Sequence, residues 1–94
     1  MAELLEEEEI EQRVDELGDW ERDGDQLRKV FEFDDFATAV KFVNDVADLA
    51  ERWDHHPDID IRYNRVTLAL TTHSEGGLTG RDFDMAGEIE QSIT

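Results

Sequence analysis

Residues 34–73 read DDFATAVKFVNDVADLAERWDHHPDIDIRYNRVTLALTTH, and two different hydrophobic periods meet inside that stretch. Phe36, Val40, Val43, Ala47, Ala50 and Trp53 recur at helical spacing, and Phe42, Val46 and Leu49 widen the same stripe. Asp34 or Asp35 can cap the start of this helix. Pro57 predicts its end, because the residue before a proline avoids helical angles. From Asp58 the period changes to two: Ile59, Ile61 and Tyr63 alternate with Asp58, Asp60 and Arg62, the mark of a half-buried strand. Asn64-Arg65 predicts a tight turn. A second strand then runs from Val66 to His73, with Val66, Leu68 and Leu70 on one face and Thr67, Ala69, Thr71 and His73 on the other.

The flanks repeat this arrangement. On the amino-terminal side, Gln26–Phe33 is rich in strand formers. It is preceded by a hairpin signal at Asp23-Gly24-Asp25 and a short strand at Trp20–Arg22. Leu5, Ile10, Val14 and Leu17 give a thin apolar stripe on a helix between Glu3 and Leu17, with Gly18 as its stop. On the other side, Ser74–Leu78 is a glycine-bearing loop, and Thr79 caps a last helix whose apolar residues are Phe83, Ala86, Ile89 and Ile93. The order α-β-β-α-β-β-α predicts an α+β fold, a four-stranded antiparallel sheet with helices packed on one face. Ninety-four residues fit a single domain over 1–94.

Composition narrows the function. Nine Lys and Arg stand against 26 Asp and Glu, a formal net charge of −17. That field repels nucleic acid and anionic membrane surfaces, so neither is an expected partner. The chain is nevertheless 38% hydrophobic with regular patterning and two Trp, so it is a folded domain rather than an acidic disordered tail. Lys29 and Lys41 are its only lysines, and the acids are spread along its length, a pattern that suits high salt, where self-repulsion is screened, and predicts a salt-loving microbial source. With no cysteine, disulfides, thiolate nucleophiles and Cys-ligated zinc are excluded. No apolar run approaches the length of a membrane span. The acidic start, MAELLEEEE, lacks the basic beginning of a secretory signal, so a cytoplasmic location is expected.

All three histidines, His55, His56 and His73, lie in the half that holds the second hairpin. Histidine is the side chain whose ordinary titration suits proton transfer near neutrality. If Asp58–Tyr63 pairs antiparallel with Val66–His73, the end of the second strand returns to the start of the first, and His73 comes beside His55 and His56. One histidine at a helix C-terminus is accounted for by the helix dipole alone. A pair before a proline, joined by a third across a hairpin, favours a pocket. Glu51, one helical turn before His55, can pair with it or stand as an ordinary surface acid. Asp82 fits the third position of a capping box begun by Thr79, and it can also face the pocket, since its loop starts at His73. Trp53 and Tyr63 could stack on a flat ligand, although Trp53 belongs to the core stripe. No metal is expected, because adjacent histidines seldom converge on one ion and neither His-x-His nor His-x3-His spacing occurs. Asp54-His55-His56 also matches the signature of the DHH phosphoesterases, but a tripeptide is weak evidence and those enzymes need further Asp motifs across a far longer chain.

The stretch from Glu51 through His55-His56-Pro57-Asp58, followed by Tyr63, His73 and Asp82, resembles the pterin-4a-carbinolamine dehydratase family. Three residues separate Glu51 from His55, and nine separate Tyr63 from His73, as in the family pattern. The segment from Thr72 to Asp82 is similar to the family's strand-end and loop. The resemblance implies dehydration of a 4a-hydroxytetrahydropterin to the quinonoid dihydropterin, with no metal or organic cofactor. It implies that His55 and His73 act as the acid–base pair and that His56 positions or assists. Glu51 and Asp82 would orient the imidazoles, and Pro57, Asp58 and Tyr63 would belong to the substrate-binding set. Many members carry Trp two residues after the proline, where this chain has Ile59, so a wall of the pterin site differs. The alternative is a non-catalytic pterin or molybdopterin binding module of the same fold. The resemblance also implies a homodimer or homotetramer. An animal member's transcription-factor partner is not carried over to so acidic a surface.

Overall fold

In the computed structural model, which describes residues 3–93, the chain runs α1 (Glu7–Leu17), β1 (Glu21–Asp23), β2 (Gln26–Glu32), α2 (Phe36–Trp53), β3 (Asp58–Arg62), β4 (Arg65–Leu70) and α3 (Gly80–Ser92). Residues 1, 2 and 94 of the expected domain lie outside the described residues. The strands form one sheet in the order β1-β2-β4-β3, every neighbour antiparallel. The two hairpins therefore join through β2 and β4, with Phe31 opposite Val66 and Leu27 opposite Leu70.

Alternation decides which face is covered. Leu27 and Phe31 of β2 and Val66, Leu68 and Leu70 of β4 are buried under the helices, while Arg28, Val30, Glu32 and Arg65 face outward. Ile10 of α1, Phe83, Met85, Ala86 and Ile89 of α3, and Trp20 complete the core with α2. Burying a side chain of this size is worth about 1.5–3 kcal/mol, so this one-sided layer supplies most of the driving force for folding.

Several boundaries differ from those the sequence predicts. The first helix starts at Glu7 rather than Glu3, because Leu4 bridges to Thr79 and the Leu5 N–H donates to the Leu78 carbonyl at 3.0 Å. On α2 the buried line is Ala39, Phe42, Val46, Leu49 and Ala50, while Phe36 and Ala47 are exposed. Phe42 sets this rotation, packing at 4.8 Å from Phe31 and 4.9 Å from Phe33, ring centre to ring centre. The second turn is Tyr63-Asn64, not Asn64-Arg65. Arg62 pairs with Arg65, and Tyr63 takes a left-handed φ of 54°. Asn64 fixes the turn by donating from its side chain to the Phe33 carbonyl at 2.8 Å. Strand β4 stops at Leu70, and His73–Glu75 form a single 3-10 turn instead of a strand end. The Thr72 carbonyl accepts from the Glu75 N–H at 3.0 Å, and Gly76, at φ 74°, supplies the left-handed residue that closes the turn. Ile93, expected on the apolar face of the last helix, is its exposed C-cap.

Candidate functional site

The end of α2 determines where the adjacent histidines point. Pro57 does not stop the helix; Asp54 does, in a left-handed conformation with φ 49° and ψ 45°. The His55 N–H reaches the Ala50 carbonyl at 3.1 Å, and the Asp54 N–H reaches the Glu51 carbonyl at 3.4 Å, the paired bonds of a Schellman turn. This sharp reversal sends successive side chains apart. His55 goes inward and is 6% exposed, while His56 stays in solvent.

Their carboxylate partners are consequently exchanged relative to simple helical spacing. Glu51 does not meet His55 one turn along; its Oε2 lies 2.5 Å from Nε2 of His56, and both side chains are exposed. His55 instead places Nε2 2.7 Å from Oδ1 of Asp82, which is completely buried. Asp82 performs both tasks open to it in the sequence. It closes a capping box at the start of α3, with Oδ2 accepting the Thr79 N–H at 2.9 Å, and it faces the histidine. The same oxygen accepts the Thr72 hydroxyl at 2.8 Å. An anion at this position also benefits from the helix dipole.

Among the described residues, no buried side-chain nitrogen or oxygen lacks a partner. None of the described residues bonds Nδ1 of His55, and a buried Nδ1 would then be an orphan, so that nitrogen is reached from the adjoining cleft that His55 lines. The cleft has a volume of about 300 Å³ and is lined by Asp54, His55, His56, Thr71, Thr72, His73, Ser74 and Arg81. All three imidazoles thus border one space, which lies at the small end of ligand pockets. Arg81 ties its two sides together, donating from Nη2 to the carbonyls of Trp53 and Asp54 at 3.0 Å each. The N-terminus of α3 is thereby clamped to the C-terminus of α2.

Other residues singled out in the sequence lie elsewhere. Tyr63 is 69% exposed in the hairpin turn, at the end of β3 opposite the histidines, so it does not reach the cleft. Asp58 on β3 pairs with Ala69 on β4 and lines a separate concavity of about 210 Å³ with Arg28, Ile59, Asp60, Thr67 and Ala69. Ile59 therefore borders this second hollow rather than the histidine cleft. Pro57 is half-buried between His56 and Asp58 and is not among the lining residues. Sequence reading missed Asp54, Thr71, Thr72, Ser74 and Arg81. The available signal was adjacency, since each sits within two residues of a histidine or of Asp82. Among the described residues, no group of His, Asp and Glu side chains is disposed to hold a metal, and no helix is long and apolar enough to cross a membrane.

Comparison with known proteins agrees with this fold. The model of the family described as pterin 4 alpha carbinolamine dehydratase matches residues 3–92. A Roseiflexus castenholzii protein provisionally named pterin-4-alpha-carbinolamine dehydratase is 53% identical over 93 residues, covering 99% of this chain and 100% of its own. A crystal structure of a transcriptional coactivator/pterin dehydratase from Brucella melitensis superposes with a TM-score of 0.88 at 37% identity, over 93% of this chain and 95% of that one. A pterin dehydratase-like protein described as a RuBisCO assembly factor of the alpha-carboxysome shares the fold, with a TM-score of 0.63 at 22% identity over 77% of this chain and 83% of its own. With the family model spanning nearly its whole length, this chain belongs to the pterin 4 alpha carbinolamine dehydratase family.

Proposed function

We propose that the chain is a dehydratase that converts a 4a-hydroxytetrahydropterin to quinonoid dihydropterin and water by histidine acid–base catalysis. The observation that carries this reading is the cleft bordered by His55, His56 and His73. Hydroxide is a poor leaving group, so the C4a–O bond breaks as an imidazolium protonates the departing oxygen. The electron pair that replaces this bond comes from the neighbouring ring nitrogen, which loses its proton to a base. One proton is given and one taken, so two imidazoles suffice. His55 and His73 take these roles. His55 works through Nδ1, because Nε2 is engaged by Asp82. His56, steadied by Glu51, positions the substrate. Asp58, Pro57 and Tyr63 lie outside the cleft and are not assigned a direct contact.

The test is to generate a 4a-hydroxytetrahydropterin and follow its dehydration by absorbance with and without the protein. Acceleration that saturates with substrate is the expected result. Pterin binding without acceleration would favour the non-catalytic module, and no binding would remove pterin from the account. The RuBisCO assembly factor that shares this fold is the reason to run the binding arm, since one fold hosts unrelated roles.

A further inference from the structure

Behind the histidines lies a pair of threonines: the Thr79 oxygen caps α3 by accepting the Arg81 N–H, but the Thr72 hydroxyl caps nothing. Thr72 is 2% exposed and Thr79 is fully buried, with their Oγ1 atoms 2.8 Å apart. Thr72 stands at the N-cap of the 3-10 turn, where a threonine usually bonds the backbone of its own turn, yet its side chain makes no such bond. It is directed at Asp82 instead.

A carboxylate only accepts, so the single Thr72 proton is committed to Oδ2 of Asp82. Thr72 can then only accept from Thr79, whose own proton is spent in that bond. The Thr79 oxygen is left to accept the Arg81 N–H, which it does at 3.2 Å. The hydrogens run one way, from Thr79 to Thr72 to Asp82, and Asp82 turns its remaining oxygen to His55. With both Asp82 oxygens accepting, Nε2 of His55 must carry the proton. Neutral His55 then has its lone pair on Nδ1, the nitrogen open to the cleft.

We infer that Thr72 is a positioning residue: its hydroxyl, oriented by Thr79, fixes the Asp82 carboxylate so that His55 is held as the Nε2–H tautomer with Nδ1 free for proton transfer. This rests on the proposed dehydratase reading for its effect on turnover, but the tautomer stands or falls independently of any reaction. In a Thr72→Val variant, which keeps the shape and removes the hydroxyl, Oδ2 loses one of its two donors and only the Thr79 N–H still restrains the carboxylate.

The experiment combines nitrogen-15 NMR of the histidine side chains at neutral pH with steady-state kinetics on a 4a-hydroxytetrahydropterin, using the full chain. Wild-type His55 should show the Nε2–H form. Thr72→Val should let the Nδ1–H form appear and lower kcat by roughly tenfold, the effect of losing one hydrogen bond to a charged group, while KM stays nearly constant. Thr72→Ser should restore both signals. A wild-type spectrum dominated by the Nδ1–H form would overturn the inference, and so would a valine variant with wild-type tautomer and kcat. The wild-type spectrum can overturn the inference even if the valine variant does not fold, and Thr72→Ser then carries the test of the hydroxyl. A wild-type protein without turnover would sink the proposed function and leave the NMR arm to judge the tautomer.

Discussion

His73 can be tested separately because it is exposed on a single 3-10 turn and no protein side chain holds its ring among the described residues. Removing an exposed side chain usually alters stability by no more than about 0.5 kcal/mol. Losing a proton-transfer group costs about 10²-fold or more in rate. His73→Ala is therefore expected to keep the wild-type melting temperature and lose at least ~10²-fold in kcat. Wild-type turnover by that variant would take His73 out of the mechanism. His55 does not permit so clean a separation, because its ring is buried against Asp82 and truncation disturbs both packing and chemistry. The convergence of the three imidazoles was legible in the sequence, since a two-residue hairpin must return the end of β4 to the start of β3. The pairing was not. Helical spacing points Glu51 at His55, and only the left-handed turn at Asp54 redirects that carboxylate to His56.

The termini of α2 carry the element-scale predictions. At its C-terminal end Asp54 occupies a left-handed position that glycine fills without steric cost. Alanine there lacks the short polar side chain that lets Asp tolerate such angles, and it costs roughly 1 kcal/mol relative to glycine. Asp54→Gly should thus unfold at a higher denaturant concentration than Asp54→Ala, and the reverse order would contradict the Schellman turn. At the N-terminal end Asp35 accepts the Thr38 N–H at 2.8 Å. Hydrogen bonds from the Thr38 side chain and backbone hold its carboxyl below the ordinary aspartate value. A depressed folded-state pKa stabilises above the unfolded value, and that contribution is lost as pH falls through the lower folded value. Asp35→Asn keeps a capping oxygen and has no charge to lose. The melting-temperature gap between wild type and Asp35→Asn, measured at low salt, should be widest near neutrality and close in acid. A gap independent of pH would mean that the charge contributes nothing to the cap.

These ends also show why some elements were readable and others were not. The β3–β4 hairpin follows from strict alternation, and the start of α2 from an Asp at a capping position. The sequence points to Pro57 as the stop of α2, because no glycine or asparagine marks the residue that actually turns left-handed. Alternation likewise runs on into Tyr63 although that residue forms the turn, since a period-two pattern cannot say where pairing ends. The apolar arc of α2 is wider than the strip the sheet covers, so periodicity identified the helix without fixing which part of the arc is buried. Strand β3 lies at the sheet edge with all five residues exposed, Ile59 and Ile61 among them.

Over the whole molecule, charge outweighs any individual contact. Even with every Lys and Arg paired, the formal net charge stays at −17. The ion pairs present, such as Arg62–Asp60 and Arg65–Glu32, are mostly exposed, a setting worth only about 0–1 kcal/mol each. Repulsion among the remaining acids is spread across the surface and acts over the Debye length, which shrinks from about 10 Å at 0.1 M salt to about 3 Å at 1 M. The folded state concentrates these charges more than the unfolded chain does, so screening favours folding. It also favours self-association, for which the exposed edge strand β3, with Ile59 and Ile61 among its charged residues, is available. The melting temperature should therefore climb steadily from dilute buffer to molar sodium chloride. Sedimentation should show species heavier than the 10.9 kDa chain, with the heavier fraction growing as salt is added. Both effects have one cause, so they must move together. A melting temperature that is flat or falls with salt would show that the acidic surface is not a burden on the fold, and the salt-adapted reading of the sequence would go with it.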